Sequence, residues 1–80
     1  MLHEVELIKE SNYRIIGRVL MDERTGEVEV RDFYNRILGR YDPTTDTTRG
    51  FSGKIIAHGN AARMLIRPYE EMMDPNWKPQ

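Results

Sequence analysis

Apolar and polar residues alternate along most of the first 59 positions, and this period of two predicts β-strands. In the segment 3–9, Val5 and Leu7 lie on one side, with glutamates on the other. The segment 27–31 alternates strictly, which is typical of a strand with one face in water. Further strand candidates are 13–21, 36–42, 47–49 and 54–59. The pattern predicts an all-β meander of about six strands.

Short polar segments between these strands contain residues that favour turns. Gly26 can adopt the left-handed conformation that closes a hairpin, and Asn35 tolerates positive φ. Gly53 stands at the place equivalent to Asn35 in the next hairpin. The segment 42–46 is a turn with Pro43 at its second position. We therefore predict tight turns at all of these points.

A five-residue motif recurs three times, as a cation, two aliphatic residues, a small residue and another basic residue. The copies are RIIGR at 14–18, RILGR at 36–40 and KIIAH at 54–58. Self-similarity of this kind indicates a repeated structural unit, here a short hairpin.

The small position of the motif lies inside a predicted strand, where glycine usually marks a bend or a close approach of another backbone. Hairpins arrayed alike, each with a small residue at the same place, would pack around a shared axis. One chain of 80 residues without cysteine offers little apolar surface, so we expect several chains to close this array as a homo-oligomer. The candidates for the oligomer axis are Gly17, Gly39, Ala57, Ile15, Ile37 and Ile55.

After Gly59 the pattern changes to that of a short helix. Asn60 is a candidate N-cap, the residues that follow favour helix, and Pro68 limits it to about two turns. A second short turn can begin at Pro68, and Trp77 stands in a loose tail that either docks or is free. The predicted units are 1–68, a repeated hairpin domain with a short helix at about 60–67, and 69–80, a C-terminal turn and tail.

Net charge is −1 overall, but it is distributed unevenly. Residues 1–30 carry seven acids against four bases, whereas residues 31–68 carry seven bases against three acids. A basic middle suits nucleic acid, an acidic partner or the acidic arm of a neighbouring subunit. The candidates for binding nucleic acid or an acidic partner are Arg14, Arg18, Arg36, Arg40, Lys54 and His58.

Tyr34, Tyr41 and Phe51 lie near these cations in the sequence, and together they could make a β-platform for nucleic acid, because aromatic rings stack on bases and cations contact phosphates. The sequence pI of about 6.1 argues against this alternative, because nucleic-acid-binding domains are usually strongly basic. Interleaved acids can also pair many of these cations within the protein.

No catalytic or metal-binding pattern stands out, and no cofactor is expected. His3 and His58 each lack a second ligand at metal-binding spacing, and the loop of Asp42 lacks the later Gly and Glu of a calcium loop. An enzyme would need a site built between subunits from His58, Asp42 or Asp32. We therefore expect a protein that is not an enzyme.

No apolar run approaches the roughly 20 residues of a membrane span, and the N-terminus lacks the regions of a signal peptide. The expectation is a soluble cytoplasmic protein that does not bind membranes.

The segments FYNRILGRYDP at 33–43 and TTRGFSGKII at 47–56 resemble the four-fold β-flower domain, a small bacterial and mobile-element family. The resemblance covers about residues 11–66, and Asn35 and Ala57 replace the more usual glycines. It implies hairpin petals around an axis, in a protein of bacterial or phage-like origin, and it implies no activity. The expected function is a non-enzymatic assembly or protein-interaction module; the alternative is a nucleic-acid-binding accessory protein.

Overall fold

The computed structural model describes residues 2–10, 13–67 and 76, which form one antiparallel sheet and one turn of 3₁₀ helix. The six strands follow one another in the sheet in chain order, each paired with the next. Their bounds are β1 Leu2–Lys9, β2 Ile15–Asp22, β3 Val28–Asp32, β4 Ile37–Asp42, β5 Thr47–Gly50 and β6 Ile55–His58. The predicted all-β meander of about six strands is confirmed.

The recurring motif corresponds to a recurring hairpin. In β3–β4, the Asp32 N–H donates to the Arg36 carbonyl over 2.9 Å, and the Asn35 N–H donates to the Asp32 carbonyl over 2.9 Å. The same two bonds recur at the equivalent positions of the other hairpins, from Glu10 and Tyr13 in β1–β2 and from Gly50 and Gly53 in β5–β6. The residues that take positive φ are Tyr13 at 64°, Asn35 at 66° and Gly53 at 87°.

Each of these hairpins also contains a β-bulge at the second aliphatic residue of the motif. Gly39 lies opposite Val30 and Ile37 lies opposite Arg31, so Leu38 has no partner of its own on β3. Ile16 and Ile56 are skipped in the same way in β2 and β6. A bulge lets neighbouring residues depart from strict alternation. Two consecutive aliphatic residues in each copy therefore mark the bulge.

The turns at the other end of the sheet match their predicted geometry. Gly26 has φ 76°, and its N–H donates to the Asp22 carbonyl over 2.7 Å. In the turn from β4 to β5, the Thr44 N–H donates to Oδ1 of Asp42 over 2.8 Å.

The predicted helix at about 60–67 is wrong in type and extent, because the chain forms only a 3₁₀ turn at Ala62–Leu65. Ala61 precedes this turn and its N–H donates to Oγ1 of Thr48 over 2.9 Å, which fixes the crossing from β6. Ile66 is already extended, with φ −82° and ψ 132°. Leu65 lies over Gly39 and Ile66 over Gly17, an arrangement that two successive residues of a continuing helix would not share.

The core lies between one face of the sheet and the 3₁₀ turn, which contacts β3 and β4. Its buried apolar residues are Ile16, Val19, Val28, Val30, Leu38, Ala62 and Leu65. The predicted second turn after Pro68 and the docking of Trp77 fall outside the described residues.

Candidate functional site

The sequence-predicted cations occupy two rows, each with one member from every hairpin. Arg14, Arg36 and Lys54 directly follow the positive-φ residue of each turn, at one end of the sheet, which we call the turn end. Arg18, Arg40 and His58 follow the small residue of each motif. Gly39 faces Leu65 of the 3₁₀ turn and Gly17 faces Ile66, which follows it, so by alternation this second row lies on the opposite side of the sheet, which we call the charged face.

Glu29 is the centre of the charged face and is almost completely buried, with 2% of its side chain exposed. Its Oε2 accepts a hydrogen bond from Nε of Arg31 over 2.6 Å. Its Oε1 accepts bonds from Arg40, over 2.9 Å from Nη2 and 3.0 Å from Nε. One carboxylate thus holds two guanidinium groups on neighbouring strands.

Further glutamates of the chain lie close to the cations of this face. Nη1 of Arg18 lies 3.7 Å from Oε1 of Glu4, and Nε of Arg40 lies 3.9 Å from Oε1 of Glu27. Arg49 lies opposite Arg40 and donates from Nη1 to the Gly53 carbonyl over 3.0 Å. Within residues 2–10 and 13–67, the ion pairs of this face involve Arg18, Arg31 and Arg40 but not Arg49.

Buried Asp32 organises the turn of the second hairpin. Its Oδ1 accepts the N–H groups of Tyr34 and Arg36 over 2.9 Å and 2.8 Å, and its Oδ2 accepts Nε of Arg36 over 2.6 Å. The Arg36 guanidinium carbon lies 5.2 Å from the centre of the Tyr34 ring, and the Phe33 ring meets Tyr34 edge-on at 5.4 Å. Asp32, one of the candidate enzymatic residues, therefore has a structural role in this turn.

Large aromatic side chains project at the turn end, and we call this group the aromatic rim. Sequence reasoning selected Tyr34 and Phe51, which are 58% and 63% exposed. It missed Tyr13 and Phe33, although their place in the repeated turns could have identified them. The aromatic rim consists of Tyr13, Phe33, Tyr34 and Phe51.

Tyr41, the third aromatic residue selected from the sequence, does not belong to the rim. It packs against the core, and its hydroxyl donates to Oδ1 of Asp46 over 2.7 Å. This hydrogen bond raises the pKa of Tyr41 above its ordinary value, because it stabilises the protonated phenol. Tyr41 supports the turn from β4 to β5.

The oligomer-axis candidates lie in two different environments. A side chain at Gly39 would overlap the main-chain oxygen of Arg49 and come within 2.6 Å of Cδ1 of Leu65. At Gly17 it would come within 2.7 Å of the Arg31 oxygen and 2.9 Å of Cδ1 of Ile66. The close approach expected from strand glycines therefore exists within one chain.

The remaining axis candidates are more accessible. Ile15 and Ile55 are 37% and 42% exposed, and Ile37 is half-buried. Ala57 of β6 is also half-buried and lies opposite Thr48 of β5. Their placement at a shared axis stays a prediction.

The two outer strands of the sheet, β1 and β6, expose aliphatic side chains. On β1, Val5 is 48% and Leu7 38% exposed; on β6, Ile55 is 42% and Ile56 36% exposed. Each outer strand has one side that no other strand of the described residues covers. These edges are the parts of the molecule best suited to contact another protein.

Two of the residues considered for an enzyme, Asp32 and Asp42, lie far apart within one chain, whereas Asp42 and His58 lie on either side of Thr47. Asp32 ends β3 at the turn end, whereas Asp42 ends β4 at the opposite end, where it accepts the Thr44 N–H. Within the described part of the chain, no group of three or more His, Asp or Glu side chains is placed to hold a metal ion. The part of the chain that the structure describes also contains no helix long and apolar enough to cross a membrane.

The geometry thus offers three surfaces: the aromatic rim with its cations, the charged face, and the outer strands. Comparison with protein-family models, curated proteins and solved structures finds no match for this chain.

Proposed function

We propose that this protein is a non-enzymatic module that assembles with copies of itself and closes around an axis as a homo-oligomer. The observation that carries this proposal is the open sheet, whose two outer strands expose aliphatic side chains. Unpaired strand edges are templates for pairing with another chain. We also propose that the protein is cytoplasmic. Because of its repeated hairpins, we propose that it is related to the four-fold β-flower domain.

The size of the core supports the proposal. Among residues 2–10 and 13–67 of this 80-residue chain, seven buried apolar residues form the core cluster. Chains of this length without disulfides often gain stability from subunit contacts. Covering the exposed leucine and isoleucine side chains of β1 and β6 would supply such contacts.

The repeat supports a cyclic arrangement. Each hairpin places its turn at the same end of the sheet and its bulge at the same level. Bulges increase the local twist of a strand, so three equivalent bulges bend the sheet in the same sense. A sheet that bends uniformly suits closure around an axis when further copies continue it.

Native mass spectrometry combined with light scattering tests this function. We expect a discrete multiple of 9.4 kDa that persists at micromolar concentration. The variant Leu7→Ser should shift the distribution toward monomer, because it removes an exposed aliphatic side chain from an outer strand. The control Met64→Ser changes a side chain that is 72% exposed on the 3₁₀ turn and should keep the wild-type mass. A monomer across the whole dilution series would refute the proposal.

Binding of single-stranded nucleic acid is the second candidate, favoured by the aromatic rim beside Arg14, Arg36 and Lys54. Aromatic rings stack on bases and cations contact phosphates, which is how sequence-tolerant single-strand binding works. Fluorescence anisotropy with a labelled oligonucleotide should detect weak binding at 50 mM salt that disappears at 200 mM, because such binding depends on counterion release. Phe51→Ala should weaken it, whereas Met64→Ala should not. Tight, sequence-selective binding at 200 mM salt would make this the primary function.

A further inference from the structure

We propose that copies of this protein join head to tail, with β6 of one copy pairing antiparallel with β1 of the next, and with Ala57 opposite Glu10. This inference rests on the proposed self-assembly and specifies its interface. It follows from the direction of the strands, the register between hairpins and the charge of the two edges.

Strand direction is the first argument. All five pairings in the sheet are antiparallel and the number of strands is even, so β1 and β6 run in opposite directions. An antiparallel strand added beside β6 therefore runs in the direction of β1. A second copy placed there has the same orientation as the first, and the next copy repeats the step. Contacts of this head-to-tail kind form a ring when the rotation closes.

Register is the second argument, because the chain contains two junctions between successive hairpins. In the first junction Gly17 lies opposite Asp32, and in the second Gly39 lies opposite Gly50. Both junctions join the small residue of one motif to the residue that begins the next turn. The corresponding residues at the two edges of the chain are Ala57 and Glu10. A third junction built by the same rule pairs these two residues.

The main chain of both edges is oriented for this pairing. The Glu10 N–H donates inward to the Arg14 carbonyl, and the Gly59 N–H donates inward to the Asp46 carbonyl. Main-chain groups of successive strand residues point in opposite directions. Lys9 and His58 therefore direct theirs outward and become a hydrogen-bonded pair in the proposed register.

Charge at the two edges is complementary. The segment 2–10 carries three glutamates, one lysine and His3, whereas 54–59 carries Lys54 and His58 and no acid. With histidine neutral, the first segment has net charge −2 and the second +1, which disfavours pairing β1 with β1 or β6 with β6.

The proposed pairing between β6 and β1 is limited to a few residues on each strand. A register shift at Glu4/Glu6 interrupts β1, and the chain leaves the edge after Gly59. The contact therefore involves the last part of β1 and the last part of β6.

Disulfide trapping tests the register, because the chain has no cysteine of its own. Under the proposed register, Glu10 and Ala57 form a non-hydrogen-bonded pair, in which Cβ atoms lie about 4.5–5.5 Å apart and come within reach of a disulfide. The double variant Glu10→Cys/Ala57→Cys, oxidised gently and analysed on a non-reducing gel, should form a ladder of covalent multimers. The two positions lie at opposite edges of one chain, about 24 Å apart at ordinary strand spacing, so the bond must be intermolecular.

Matched controls separate this register from the alternatives. The pair Glu10→Cys/His58→Cys places the two thiols on opposite faces of the sheet and should give no ladder. Dimers of Glu10→Cys alone would indicate β1–β1 contact, and dimers of Ala57→Cys alone would indicate β6–β6 contact; either result overturns the inference. Circular dichroism verifies that every variant remains folded.

The outcomes also distinguish the inference from the proposed function. A discrete oligomer by native mass spectrometry without the predicted ladder overturns the register and leaves self-assembly standing. A monomer at micromolar concentration, together with no ladder, overturns both.

Discussion

At the scale of single residues, the strict alternation of the segment 27–31 predicted the face of the sheet on which its side chains lie but not their burial. Glu29 belongs to a strictly alternating segment and was expected on the face in water, yet only 1% of the surface of the whole residue is exposed. Arg31 and Arg40 cover it from its own strand and from the next one. Long cationic side chains bury a carboxylate in this way only when neighbouring strands bring them together. The sequence pattern therefore could not reveal this site.

We predict that Glu29→Ala lowers the free energy of unfolding by about 1.5–3 kcal/mol, as expected for the loss of hydrogen bonds to charged groups. The substitution removes the shared acceptor of two guanidinium groups. Urea unfolding followed by circular dichroism measures the change. The matched control is Glu27→Ala, which removes a 44% exposed partner of Arg40 and should change the stability by no more than about 1 kcal/mol. Equal effects of the two substitutions would contradict a special role for Glu29.

Tyr41 gives a prediction for the pH dependence of stability. Its hydrogen bond to Asp46 raises the pKa of the folded state above the ordinary value of 10.0, so the stabilisation is present below pH 10 and is lost as the pH rises through the raised pKa. Tyr41→Phe should therefore reduce the decrease in melting temperature above pH 10. A variant whose alkaline profile has the same shape as the wild type would show that this bond does not contribute.

At the scale of elements, the sequence predicted the strands and the turns because their signals are local. Asn35, Gly53 and Gly26 all adopt the positive φ that their residue types allow. The bulges of the three motif copies were also encoded, as pairs of aliphatic residues such as Ile37 and Leu38, but alternation alone did not identify them. A motif that breaks the period of two at one place in every repeat is a signal for a bulge.

The predicted helix shows where local signals were insufficient. Helix-favouring residues occur between Asn60 and Pro68, but the chain there must cross from β6 over β3 and β4. Thr48 fixes the start of this crossing through its hydroxyl, and Leu65 and Ile66 must reach two different glycines. Tertiary contacts override propensity in so short a segment.

We expect Leu65→Ala to destabilise the protein by about 2–5 kcal/mol, because it empties a buried position between the 3₁₀ turn and the sheet. The neighbouring Met64 is 72% exposed, so Met64→Ala should change stability by less than about 0.5 kcal/mol. Thermal unfolding of both variants under identical conditions measures the contrast. Similar melting temperatures for the two would mean that the 3₁₀ turn does not cover the core.

At the scale of the whole molecule, the repeat predicted which residues are equivalent, but not which of them come into contact. It placed Gly17, Gly39 and Ala57 in one class, and the structure packs Leu65 of the 3₁₀ turn over Gly39 and Ile66, which directly follows the turn, over Gly17. It also placed the candidate cations in one group, whereas the structure divides them between the turn end and the charged face. Long-range register and the path of residues 60–67 determine these differences, and neither is a local property.

We predict that Gly39→Val lowers the stability of each chain by about 1–3 kcal/mol through overpacking against Arg49 and Leu65. Unfolding measured over a range of protein concentrations distinguishes two causes. A loss that is the same at every concentration indicates the contact within the chain, whereas a loss that grows on dilution indicates a shared axis. Ala57→Val is the matched control from the third motif copy, and its chain stability should stay within about 0.5 kcal/mol of wild type. Wild-type mass and melting temperature for Gly39→Val would contradict both causes.

All three repeated turns lie at one end of the sheet, so this end presents three equivalent groups of side chains that one partner could contact. Equivalent residues of successive turns are two strands apart, or about 9.5 Å at ordinary strand spacing. A partner with binding groups at a similar interval would engage several turns simultaneously, and each contact after the first would form at a high effective concentration. Loss of one turn side chain would then weaken binding by a factor without abolishing it. Affinity at this end would depend on the spacing of the turns as much as on the chemistry of any one of them.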